Sequence, residues 1–138
     1  VTAALRGCGI DLIEIERIEQ ALARRPALAD RIFSPGERAH AKRRARPARH
    51  LAARFAAKEA ALKALGIGGL RLHEIEVLGG GDEPPRLVLH GDAARLAAER
   101  EIELDVSLTH SRELAAATVI VRPSAEATLR PDVRTRLA

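Results

Sequence analysis

A chain of 138 residues with 46% hydrophobic residues and only two aromatic ones, both Phe, supports one domain with a core of Leu, Ile, Val and Ala, and excludes two full-sized ones. Its single cysteine, Cys8, excludes an intramolecular disulfide and a multi-cysteine zinc motif, and no apolar run approaches the ~20 residues of a membrane span. The formal net charge of +4 admits an acidic protein, a nucleic acid or a phosphorylated cofactor as partner, and the absence of a signal-peptide pattern makes the expected location cytoplasmic.

Leu5 to Ile13 reads as a short strand, with small residues at its start and β-branched ones at its end. Asp11 interrupts it, either as the N-cap of the next helix or as a functional carboxylate. That helix carries Ile15, Ile18 and Leu22 to about Arg25, and Pro26 stops it. Arg17 and Arg24 share one of its faces, with Ala21 between them. Ser34-Pro35-Gly36-Glu37 is a capping box with Pro at the first helical position, opening a short helix to about Arg44. From Arg38 to Arg54 the chain is strongly basic and includes His40 and His50; the run is either a solvated helical face or an anion-docking surface.

Pro47 opens a long helix that ends at Leu65, where Gly66 stands as the C-terminal cap. Phe55, Leu62 and Leu65 recur at helical spacing, and Glu59 falls on or beside that apolar face. A carboxylate there needs a partner. Lys63, one turn on, offers an ordinary intrahelical pair; the alternative is a metal ion facing Glu59, with Lys58 and Lys63 facing the anion that the metal binds.

After Gly66 the chain becomes extended. A strand is expected around Ile75 and Val77 with a turn at Gly79 to Gly81, and a second strand at Arg86 to His90. Asp92 is expected to cap a short helix through about Glu101. A third strand begins at Leu104 to Leu108, Thr109-His110-Ser111 falls in a loop, and Ala115 to Val121 is apolar enough for a buried strand. The order predicts an α+β fold, a small largely antiparallel sheet packed with a long central helix and shorter helices. Residues 1–123 form the expected domain, and Ser124 to Ala138 a poorly ordered tail.

Three segments carry a further signal: Gly9-Ile10-Asp11 with Arg17 downstream, Phe55-x-x-Lys58-Glu59-Ala60-x-x-Lys63-Ala64-x-Gly66, and Ser107-Leu108-Thr109-His110. In this order and spacing they resemble the holo-acyl-carrier-protein synthases, the small bacterial 4'-phosphopantetheinyl transferases, from about Leu5 to Arg122. The resemblance implies that family's fold and a magnesium-dependent transfer of the phosphopantetheine arm of coenzyme A to a serine of apo acyl carrier protein. It implies Asp11 and Glu59 as the magnesium ligands, and Lys63 as the residue that stabilises charge on the leaving group. Arg54, Lys58, Lys63, Thr109 and His110 become coenzyme A contacts, and Arg17, Ala21 and Arg24 the docking surface for an acidic carrier protein. It also implies a homotrimer with sites between subunits. Magnesium suits two carboxylates, because it keeps several waters and takes one or two protein ligands. Thr109 stands where the family commonly has Ser, and Ser111 where it often has a carboxylate; both differences bear on cofactor contacts.

Two other readings compete. A nucleic-acid-binding module would use the Arg38 to Arg54 cluster, but no helix-turn-helix or zinc pattern accompanies it and aromatic residues for stacking are too few. An inactive homologue would keep the fold without the chemistry; retention of Asp11, Glu59 and Lys63 speaks against it.

Overall fold

The computed structural model describes residues 6–129. Its elements run β1 (Gly7–Glu14), α1 (Ile15–Arg24), α2 (Leu28–Ile32), α3 (Pro35–Lys42), α4 (Pro47–Leu65), a 3-10 turn (Leu72–Glu74), β2 (Ile75–Gly80), β3 (Glu83–Leu89), α5 (Gly91–Arg100), β4 (Ile102–His110), β5 (Leu114–Pro123) and α6 (Ala125–Leu129). The strands form a three-stranded antiparallel sheet in the order β1-β5-β4 and a separate antiparallel ribbon, β2-β3. The expected α+β class is what the chain adopts.

Helix α4 organises the rest because so much of it is alanine. Ala52, Ala53, Ala56, Ala57, Ala60 and Ala61 are all buried, and side chains this small let other elements approach the helix on several flanks. Its limits follow from local chemistry. Pro47 occupies the first turn, where a missing N–H costs nothing, and Gly66 takes the left-handed conformation at φ 69° that closes the C-terminus. The main sheet lies against this helix. Ala115, Ala117, Val119 and Val121 of β5 alternate inward and are buried, the last three with Ile75 and Val77 of β2 in one apolar cluster. A second cluster joins Ile15 and Ile18 of α1 to Ala52 and Ala53 of α4 and Ala115 of β5.

The closest approach is made by β1. A Cβ on Gly9 would stand 2.0 Å from the carbonyl oxygen of Ala60, so only glycine lets this strand pass so near the helix backbone. Side chains alternate along a strand, so Gly9, Asp11 and Ile13 turn towards α4 while Cys8, Ile10 and Leu12 turn away.

Several expectations change. Asp11 lies in the middle of β1, paired with Ala117, and does not cap α1; the N-cap there is Glu14, whose side chain makes no capping bond. Helix α2 was not anticipated, since its five residues are too few to establish a period. Asp92 is the second residue of α5, and the capping position is His90. Thr109 and His110 are the last residues of β4, paired with Ala116 and Ala115, and not part of a loop. Ala125–Leu129 are helical, where an unordered tail was expected. The rest of that tail lies outside the described residues. The capping box at Ser34 forms as expected: Glu37 N–H donates to Ser34 Oγ, and Ser34 N–H donates to Glu37 Oε1.

Candidate active site

Because Gly9 admits β1 to the helix, the next inward residue, Asp11, is set against the face of α4 that carries Glu59 and Lys63. Lys63 Nζ donates to Asp11 Oδ1 at 3.0 Å and to the carbonyl oxygen of Ile10 at 3.0 Å. Lys63 therefore leans across to the strand, and no salt bridge joins it to Glu59 among the described residues. The intrahelical pair is not the one that forms. Glu59 is left in a field that opposes its charge: burial first and the Asp11 carboxylate second push its carboxyl up, and Lys63 compensates only in part.

Asp11 and Glu59 both line a cleft of about 350 Å³, together with Arg17, Ala21 and Phe55. Two neighbouring carboxylates meet in a cleft open to solvent, one of them bonded to the Lys63 ammonium, with Arg17 also in the lining. No group of three or more His, Cys, Asp or Glu residues suited to a metal occurs among the described residues. A two-carboxylate donor set fits a hard divalent cation that retains most of its waters, and does not fit a closed zinc cage. Two of the three expected docking residues, Arg17 and Ala21, thus border the cleft that holds the expected metal ligands; Arg24, in the last turn of α1, does not line it.

The remaining expected residues lie elsewhere. A second cavity, of about 440 Å³, is walled by α3, α4, the β2–β3 turn and the end of β4, and its lining includes His40, His50, Arg54 and His110. Arg54 is only 2% exposed. One guanidinium nitrogen, Nη2, donates to the carbonyl oxygen of Gly79 at 2.8 Å, while Nε is buried without a hydrogen-bonding partner among the described residues. His110 is exposed at the rim, and Thr109, also exposed, does not line the cavity. Among the described residues none lines both cavities: Arg54 and His110 border one, Asp11 and Glu59 the other.

Lys58 corrects the expectation that it faces a cofactor phosphate or solvent. Its side chain is fully buried, and Nζ donates to Glu37 Oε1 at 2.7 Å and to the carbonyl oxygens of Leu72 and Ile75. All three ammonium protons have acceptors. Glu37 Oε2 in turn accepts the N–H of Val77, so the pair ties α3, α4 and β2 together. The sequence marked Glu37 only as half of a capping box.

The basic run is also broken up by the fold. Arg38 pairs with Asp30, Arg46 donates to the carbonyl oxygen of Arg112, Arg44 packs at Gly81 and Arg54 is internal. It does not form one continuous solvated face. His40 and His50, given no role from sequence, join His110 in a row, His50 between the other two, through the packing of α3, α4 and β4.

Comparison with known proteins shows the family. A model of the 4'-phosphopantetheinyl transferase superfamily matches residues 7–119. The chain is 47% identical over 119 residues to the holo-[acyl-carrier-protein] synthase of Moorella thermoacetica, covering 84% of this chain and 93% of that protein. It is 46% identical over 123 residues to the synthase of the same name from Yersinia enterocolitica, covering 86% and 98%. Among solved structures, a holo-(acyl-carrier-protein) synthase from Bacillus anthracis in complex with CoA (3',5'-ADP) superposes with a TM-score of 0.72 at 34% identity, covering 89% of this chain and 100% of that one.

Proposed function

The chain belongs to the 4'-phosphopantetheinyl transferase superfamily, among the holo-[acyl-carrier-protein] synthases, and from that premise we propose how its residues divide the work of the reaction. The chain transfers the 4'-phosphopantetheine arm of coenzyme A to a serine hydroxyl of apo acyl carrier protein and releases adenosine 3',5'-bisphosphate. A serine Oγ–P bond forms, the P–O bond to the bridging diphosphate oxygen breaks, and the serine proton is lost. The Asp11–Lys63–Glu59 cluster in its cleft is the observation that carries the assignment of roles.

Asp11 and Glu59 would hold Mg2+, which, when bound, supplies charge neutralisation and polarisation at a phosphoryl oxygen. Lys63 holds Asp11 in one orientation and keeps an ammonium at the cleft, where charge builds on the departing phosphate. Arg17 and Ala21 line the same cleft, so a carrier protein docked on α1 would bring its serine to the two carboxylates, with Arg24 adding charge at the end of that helix. An acidic carrier steered in this way should associate more slowly as salt rises. Arg54, His110 and Thr109 serve coenzyme A. The unsatisfied Nε of Arg54 and the three histidines of the lining suit its phosphates.

That assignment needs a second copy of the chain, since the two cavities are separate in one. The outer face of the main sheet supplies a surface for it: Ile10 is 66% and Leu12 63% exposed, with Leu114 and Ile120 beside them on β5. A homotrimer joined through this face, with the Arg54 cavity of one protomer beside the Asp11 cleft of the next, completes the site. We place the reaction in the cytoplasm; no described helix is long and apolar enough to cross a membrane.

The test is incubation with coenzyme A, Mg2+ and an apo acyl carrier protein, reading the carrier's intact mass. A gain of one phosphopantetheine that disappears with chelator is expected. Glu59→Ala is expected to fold and to give no gain; turnover equal to that of the parent chain would overturn the metal assignment.

A further inference from the structure

The cavity around Arg54 is unusual in its chemistry. The chain has two phenylalanines and no other aromatic apart from histidine, yet three of its five histidines meet here. His40 of α3 and His50 of α4 lie with ring centroids 5.8 Å apart, and His50 and His110 of β4 with centroids 6.2 Å apart, both edge to face. Arg54 and His40 each contain a buried nitrogen without a partner among the described residues, Nε and Nε2 respectively. Arg54 is more than nine-tenths buried and lines the cavity, and such a donor calls for an acceptor.

Charge explains why the imidazoles are in a responsive state. The groups facing them from every wall are Arg43 and Arg44 after α3, Arg49 and Arg54 on α4, His110 on β4, and Asp82 and Glu83 in the β2–β3 turn. After burial, Arg54, Arg44 and Arg43 act on His40, while His40 itself and then Arg54, Arg44 and Arg49 act on His50. Burial first, then these neighbours, lower both histidines, His50 to about 4, so at neutral pH both are uncharged. A phosphate entering the cavity reverses the field at both rings.

We infer that His40 and His50 belong to the phosphate-binding wall of this cavity and take up protons when a phosphate of coenzyme A enters it, so that co-substrate affinity is linked to pH. The inference rests on the reading that coenzyme A occupies the Arg54 cavity. Neutral imidazoles spare the free protein further repulsion beside four arginines, and become cationic donors only when an anion is present to pair with them. The sign follows from linkage: protons bound more strongly in the complex than in the free protein make binding tighter as pH falls. Adenosine 3',5'-bisphosphate, a product with the same phosphorylated nucleoside, should obey the same rule.

The experiment is a histidine-ring NMR titration of the full chain from pH 4 to 8, free and saturated with adenosine 3',5'-bisphosphate, with His40→Gln and His50→Gln used for assignment. In the free protein the two signals that titrate lowest also identify themselves, so the reading survives if a variant does not fold. The expected result is an upward move of both signals in the complex by about two pH units. Correspondingly, the affinity advantage of the parent chain over His50→Gln should grow roughly fourfold from pH 8 to pH 5.5. Unchanged titration of both signals in a complex that forms normally overturns the inference and leaves the co-substrate reading intact. Failure of both adenosine 3',5'-bisphosphate and coenzyme A to bind overturns the reading of the cavity, and the inference with it.

Discussion

Glu59 is a carboxylate in surroundings that oppose its ionisation, and that opposition has a measurable consequence. Its carboxyl is raised in the folded chain, so the ionised group opposes folding above the ordinary carboxylate range, and stability is recovered as pH falls towards it. Glu59→Gln should therefore raise the melting temperature in chelator while abolishing transfer. Added Mg2+ should raise the melting temperature of the parent chain and leave the variant unmoved, which thermal melts with and without cation would check. His50 acts in the opposite direction on the pH axis. Its folded value near 4 lies below its unfolded one, so the unfolded chain takes up the proton first and stability is lost as pH falls from about 6.5 towards 4. Melts of His50→Gln should show a flatter profile across that window. Lys58 is a residue of a different kind: Lys58→Met strands the buried Glu37 carboxylate and should cost about 3–5 kcal/mol in urea unfolding, only part of it regained in Lys58→Met/Glu37→Leu, because Glu37 also accepts from Ser34 and Val77 N–H. The sequence showed Glu59 as a misplaced charge, because helical periodicity locates a residue on a face. It could not show Lys58 as internal, because the two carbonyls and the carboxylate that satisfy it come from segments remote in sequence.

Among the elements, α4 and β1 make the contact on which the site depends. The ends of α4 were legible because Pro47 and Gly66 act locally, and the capping box at Ser34 for the same reason. Asp11 was ambiguous because the same short carboxylate suits an N-cap and a functional position; pairing with Ala117 in the sheet resolves it. Gly9→Ala puts a Cβ 2.0 Å from Ala60 O and 2.8 Å from Ala64 N, both backbone atoms of a helix packed on other flanks. The strand must retreat, carrying Asp11 away from Glu59. The expected outcome is a chain of much lower melting temperature that, where it folds, has lost the Mg2+-dependent increase; an unaltered cation response would show that the close approach does not set the site. Thr109 and His110 illustrate the reverse difficulty. Three polar residues in a row suggest a loop, and only register with Ala116 and Ala115 of β5 extends the strand through two of them.

For the whole molecule, the exposed apolar face of the main sheet and the separation of the two cavities point to one arrangement. Light scattering of the full chain should give a trimer, and Ile10→Glu/Leu12→Glu should give a folded monomer that binds carrier protein but no longer transfers the arm, since each protomer then holds half of the proposed site. The sequence by itself determined the class of the fold and the limits of α4, because propensity and capping are properties of neighbouring residues, and it marked Asp11, Glu59 and Lys63 through motifs that resemble those of the family. Tertiary structure alone decided that Lys63 serves Asp11 and not Glu59, that Lys58 is spent on Glu37, that the basic run is divided, and that three histidines surround Arg54. Each of these is a contact between elements far apart in the chain, fixed by strand register and by how closely glycine and alanine let backbones approach.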